Sequence, residues 1–132
     1  MDLNKKLNFI DILNLSKLLH DLEIDVFIEK ILNEDFINDK TMSIANKLGL
    51  VITKIITHIL INMHKCQDSI LTYISVYTNL DINEVKKFDV DIITDVLTAT
   101  FSNGIPKIVQ NILNIEEIKK KMKSNMTKLE TI

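Results

Sequence analysis

The feature that most constrains this chain is the spacing of its isoleucines. Ile is the commonest residue, 23 of 132, and 16 Leu accompany it, while Gly occurs only twice and Pro once. A β-branched residue at such frequency favours strands by propensity. Here the apolar residues recur three and four apart instead of alternating, and periodicity outranks propensity as a signal. With so few chain-breakers, the periodic stretches can run long. The expectation is an all-α protein: a compact bundle of about six helices with a long central helix and a charged C-terminal tail.

The first helix is expected from Asn8 to His20, with Ile12, Leu15, Leu19 and Leu22 as its apolar stripe and Phe9 and Leu18 on the edge. After a turn at Leu22-Glu23-Ile24-Asp25, a second runs from about Asp25 to Asn33 and buries Phe27, Ile28, Ile31 and Leu32. Asn33 to Lys40 reads as a polar loop anchored by Phe36 and Ile37. A long third helix, about Thr41 to His64, is apolar on more than one side: Ile44, Leu48, Val51, Ile52, Ile55, Ile56, Ile59, Leu60 and Met63. Such a helix sits inside a bundle or at an interface. Gly49 within it costs about 1 kcal/mol against Ala but would let a neighbouring helix approach closely. The fourth helix, about Gln67 to Tyr77, turns Ile70, Leu71, Ile74 and Tyr77 inward.

Two helix starts follow. Asp81 with Glu84 at N3, and Asp89, are N-caps, with Leu80/Val85 and Phe88/Ile93 spaced as hydrophobic staples. The second opens a helix from Val90 to Ser102 that stops at Asn103-Gly104. Pro106 suits the first turn of a last core helix, Ile105 to Leu113. Ile52, Ile55, Ile59, Ile74 and Ile93 are the expected core. Residues 1–114 then form the helical domain, and 115–132 a lysine-rich tail, frayed or solvent-facing, with a sparse stripe of Ile115, Ile118, Met122 and Met126.

Composition removes several classes of function. All 16 basic residues are Lys, so there is no guanidinium to clamp a phosphate or a guanine. Two glycines cannot build a phosphate-binding loop. A net charge of −2 argues against a general nucleic-acid or anionic-membrane surface. One Cys excludes an internal disulfide and fits a reducing compartment. Charges at Asp11 and Lys17 interrupt the N-terminal apolar residues, so no signal peptide is expected. Lys54 and His58 interrupt Leu48 to Met63, which reads as a core helix rather than a membrane span.

The residues that could carry chemistry have plainer explanations. His64, Cys66 and Asp68 are two apart, which on a helix sends them to different sides, and no paired zinc motif is present. Cys66 as a nucleophile lacks an evident orienting group or oxyanion hole. Asp89, Asp91 and Asp95 read as a capped, solvated helix end. Lys119, Lys120, Lys121 and Lys123 lack interleaved aromatics and read as a solvated face. No catalytic residue, cofactor or metal site is assigned.

The apolar excess points instead to a surface for a partner or for further copies of the chain. The candidate residues are Ile56, Leu60 and Met63 on the third helix and Ile118, Met122 and Met126 in the tail. An order of features supports this: Phe9-Ile10-Asp11-Ile12-Leu13, Lys17-Leu18-Leu19, a long apolar helix, Tyr73-Ile74-Ser75, Tyr77-Thr78-Asn79-Leu80, Ile82-Asn83-Glu84-Val85, then Phe88, Val90 and a helix closing at Phe101. Over residues 8–113 this resembles the tail assembly chaperones of long-tailed bacteriophages, as found in Gram-positive hosts and prophages.

The resemblance implies a non-enzymatic, all-helical, cytoplasmic protein of the infected bacterium, absent from the mature virion. It implies binding of the helical tape measure protein and recruitment of tail tube subunits, while the apolar excess leads to the expectation of a homo-oligomer. In many such proteins a frameshift near the C-terminus yields a longer form. The second expectation is a small helical regulator or adaptor from a mobile element. An enzyme would need convergent polar groups, and a nucleic-acid binder would show strong salt dependence.

Overall fold

The computed structural model describes residues 1–104, and these hold six α-helices and no strand. The helices are α1 (Phe9–Asp21), α2 (Ile24–Leu32), α3 (Ile44–Ile61), α4 (Gln67–Thr78), α5 (Ile82–Val85) and α6 (Val90–Gly104). Short 3-10 turns at Asp35–Asn38 and Met63–Lys65 join α2 to α3 and α3 to α4. The expected helix at Ile105–Leu113, Pro106 within it, and the tail lie outside the described residues.

α1 and α4 pair antiparallel as the most extensive helix contact, and α3 packs on α6. The end of α4 meets the N-terminal segment, where the Tyr77 hydroxyl donates to the Leu3 carbonyl at 3.5 Å. α4 carries the centre of the core, with Ile70, Tyr73, Ile74 and Tyr77 all buried. Val96, Leu97 and Phe101 of α6 close over it.

The anchored loop has its physical basis in the 3-10 turn at Asp35–Asn38, which buries Ile37. Asp89 caps α6 by accepting the Ile92 N–H at 2.9 Å. Asp81 caps α5, accepting the Asn83 N–H at 3.2 Å. Ile55, Ile59 and Ile74 are buried; Ile52 and Ile93 are half-buried against the core.

Several boundaries and faces differ from the sequence expectation. The stripe of α1 is Asp11, Leu15 and Leu18 with Leu22 beyond, while Ile12 is 49% exposed and Phe9 72%. The rotation is possible because Asp11, fully buried, is neutralised locally. Lys5 Nζ lies 3.0 Å from its carboxylate. The Asn8 N–H donates to Asp11 at 3.0 Å, and the Asn8 side chain accepts the Asp11 N–H at 2.9 Å. This reciprocal capping box places an acid in the first turn, where the helix dipole favours it.

The third helix is shorter than expected at both ends. Ser43 caps it, accepting the Asn46 N–H at 3.1 Å, and at Met63–Lys65 the chain tightens into the 3-10 turn. α3 is buried on one side only: Val51, Ile55, Ile56 and Ile59 face in, whereas Leu50 is 39% and Ile61 69% exposed. Its 18 residues have a mean hydropathy of 1.6, long and apolar enough to cross a membrane by composition, and 28% of that stretch is buried. A Cβ at Gly49 would meet nothing within 4 Å, so none of the described helices approaches there. α6 continues through Asn103 and Gly104 instead of stopping before them.

Candidate functional site: an apolar groove beside Met63

An apolar concavity lies where the end of α3 turns into α4. It encloses about 240 Å³ between Met63, Ile70, Leu71, Ile74, Val85 and Ile93, with His64 and Gln67 as its polar members. The local sequence builds it in three steps. The turn at Met63–Lys65 sets Met63 beside the first turns of α4. Leu71 is half-buried because α4 turns Ile70 and Ile74 inward. The capped four-residue α5 then lays Val85 against the same face.

A cavity of roughly 150 Å³ accommodates a benzene ring, and small-molecule sites usually exceed about 300 Å³. The groove is therefore the right size for one or two apolar side chains from a helix laid across it. Recognition of that kind uses anchors three and four residues apart. Met suits such a lining because its thioether is flexible and polarizable.

Of the sequence candidates, Met63 lines this groove. Leu60 is half-buried against the core, and Ile56 is buried within it, so Ile56 supports the fold and offers no surface. Ile118, Met122 and Met126 lie outside the described residues.

A second concavity, about 220 Å³, is bordered by Asp21, Glu23, Phe27, Lys30, His58 and Lys65 among others. Its His58 is fully engaged. The ring stacks on Phe27 at 4.0 Å. Nε2 lies 3.4 Å from the Leu22 carbonyl, and Nδ1 lies 3.4 Å from the Asn62 amide nitrogen. That pattern fits an Nε2–H tautomer that clamps the α1–α2 turn, where Glu23 adopts a left-handed φ of 51°, onto α3.

Cys66 is buried, and its thiol faces the carbonyls of Asn62 and Met63 at 3.7 and 3.6 Å. Burial pushes its pKa up, the opposite of an activated nucleophile. His64 is exposed. Among the described residues no three His, Cys, Asp or Glu side chains gather as metal ligands. Every buried side-chain nitrogen or oxygen there has a hydrogen-bond partner.

Two buried polar pairs escaped the sequence reading. Asp11 with Lys5 had a usable signal, since Asn8 and Asp11 stand at capping-box spacing. Tyr73 and Thr100 had none: their hydroxyls meet at 2.8 Å across 27 residues of chain. Compared with protein-family profiles, with curated proteins and with solved structures, the chain matches none.

Proposed function

We propose that this chain is a tail assembly chaperone of a long-tailed bacteriophage, a protein without catalytic activity that holds a helical client soluble. The client is the tape measure protein, whose amphipathic helix would lay its apolar anchors into the groove at Met63, Leu71 and Ile93. Tail tube protein is the second partner, and the chain acts as an oligomer in the bacterial cytoplasm without entering the virion. The order of sequence features over residues 8–113 supports the family reading. The carrying observation is the apolar groove of about 240 Å³, whose size and lining suit one or two apolar side chains of a docked helix.

The size of that groove also favours the second reading, a small helical regulator or adaptor that takes one or two anchors from a single defined protein. Co-expression with a tape measure protein of a long-tailed phage separates the two. The chaperone reading expects the client to be soluble only in the presence of this chain, and to precipitate again with Leu71→Asp. Equal solubility without the chain, together with strictly monomeric behaviour at high concentration, overturns it.

A further inference from the structure

We propose that residues 3–7 are a latch that selects one of two seatings of α1 on the bundle. Along this segment Leu3, Lys5 and Leu7 are half-buried, while Asn4 and Lys6 between them are exposed. Leu3 and Leu7 pack against the core. The Leu3 carbonyl accepts the Asn103 amide at 3.0 Å and the Tyr77 hydroxyl at 3.5 Å, so the segment straps the ends of α4 and α6 together. Lys5 reaches inward from it. Its Nζ lies 3.0 and 3.2 Å from the two Asp11 carboxylate oxygens and 4.6 Å from the centre of the Tyr77 ring.

α1 carries two overlapping stripes. The one that faces in is Asp11, Leu15 and Leu18 with Leu22 beyond. The other is Ile12, Leu15 and Leu19 with Leu22, at the same three-and-four spacing. They share Leu15 and Leu22, and at ~100° per residue they are centred about 50° apart around the helix. A small turn of α1 about its axis thus exchanges Asp11 for Ile12, and Leu18 for Leu19, against α4. By hydrophobicity the second seating is the better one, since it buries an isoleucine and returns a carboxylate to water. The chain takes the first because Lys5 meets Asp11.

The strap makes this choice. The capping box between Asn8 and Asp11 is local, turns with the helix and serves in either seating. The Lys5 ammonium comes from outside the helix and meets the carboxylate only in the seating observed. Without it, Asp11 is a buried carboxylate stripped of its counter-charge, a cost relieved by turning the group to water. Releasing residues 3–7 from the bundle therefore turns α1, uncovers the Tyr77 ring and draws Ile12 in. The inference does not depend on the identity of any client.

The test is thiol labelling of the full-length chain carrying Ile12→Cys, read by peptide mass spectrometry, with the buried Cys66 as an internal control for opening of the core. With Lys5 in place the introduced thiol should label at the rate of an exposed cysteine while Cys66 stays protected. Adding Lys5→Met should slow it several-fold, with Cys66 still protected and far-UV circular dichroism unchanged. Lys5→Arg, which keeps the charge, should keep labelling fast. Lys6→Met, on the outward side of the strap, should leave it unchanged. If Lys5→Met unfolds the protein, Leu3→Ala, which loosens the strap and keeps both charges, should give a smaller slowing. Three results overturn the proposal: labelling at position 12 that is unchanged or faster in the folded Lys5→Met or Leu3→Ala chain, equal slowing in Lys6→Met, or a slow thiol already present with Lys5 in place.

Discussion

Removing the Thr100 hydroxyl should cost more than removing the Tyr73 hydroxyl, although both belong to one hydrogen bond. Both residues are fully buried. Thr100 Oγ1 lies 2.9 Å from the Val96 carbonyl, which can only accept, so its proton points there. The 2.8 Å contact must then be donated by Tyr73. Tyr73→Phe deletes a donor and leaves Thr100 still bonded to Val96, a loss of about 1 kcal/mol. Thr100→Val deletes the acceptor and strands a phenolic O–H in the core, a loss of about 2 kcal/mol, because an unsatisfied buried donor carries its full desolvation cost of roughly 1–3 kcal/mol. With both hydroxyls gone the apolar pair is nearly isosteric and no group is stranded, so the double variant should lose only about 1 kcal/mol. The three losses are thus strongly non-additive, with a coupling of about 2 kcal/mol. Urea unfolding followed by circular dichroism reads all three values. Additive losses, or a Thr100→Val no costlier than Tyr73→Phe, would refute the proton assignment and the dryness of this part of the core.

Three further outcomes follow from the same core and surface. Tyr73 and Tyr77 are the only tyrosines, and burial raises both phenols above the ordinary 10.0. The native state therefore keeps protons that the unfolded chain loses, and stability should fall as pH climbs past 10.0. Tyrosinate absorbance should appear together with loss of helical dichroism, and ionisation of either phenol near 10 in an intact helix bundle would contradict this. Gly49→Ala should stabilise by about 0.5–1 kcal/mol, since the helix gains propensity and the new methyl meets open space; a lower melting temperature would mean that something packs there. Ile118→Asp with Met122→Asp should weaken client binding without unfolding the domain if the tail takes part, and unchanged binding would assign the client to the core helices alone.

What the sequence made legible was local. Helical spacing identified the elements, Asp89 announced the start of α6, and Phe36-Ile37 marked the loop that the 3-10 turn pins down. What it missed was set by contacts between elements. Hydrophobicity alone ranks Ile12 above Asp11 for the core, yet Ile12 is 49% exposed and Asp11 is buried. The rotation of α1 is decided by Lys5 and Asn8, which make the carboxylate cheap to bury. The same rotation puts Phe9 and Leu13 outside, and no window on α1 alone reveals it. The length of apolar sequence after Ser43 suggested one helix to His64, whereas the 3-10 turn at Met63–Lys65 breaks it and thereby creates the groove. Met63 was legible as a candidate, but Leu71, Val85 and Ile93 become its neighbours only through packing. Ile56, chosen on the same apolar helix, faces the opposite outcome because α3 turns it into the core.

The central claim, that this chain receives an amphipathic helix in the groove beside Met63, is tested most directly by calorimetric titration. The titrant is a peptide spanning an amphipathic helix of a phage tape measure protein, the proposed client. The account predicts binding that changes little between low and high salt, a negative heat-capacity change from buried apolar surface, and loss of binding in Leu71→Asp with the fold intact. Absence of binding, or an affinity that collapses with salt and ignores Leu71→Asp, would contradict it.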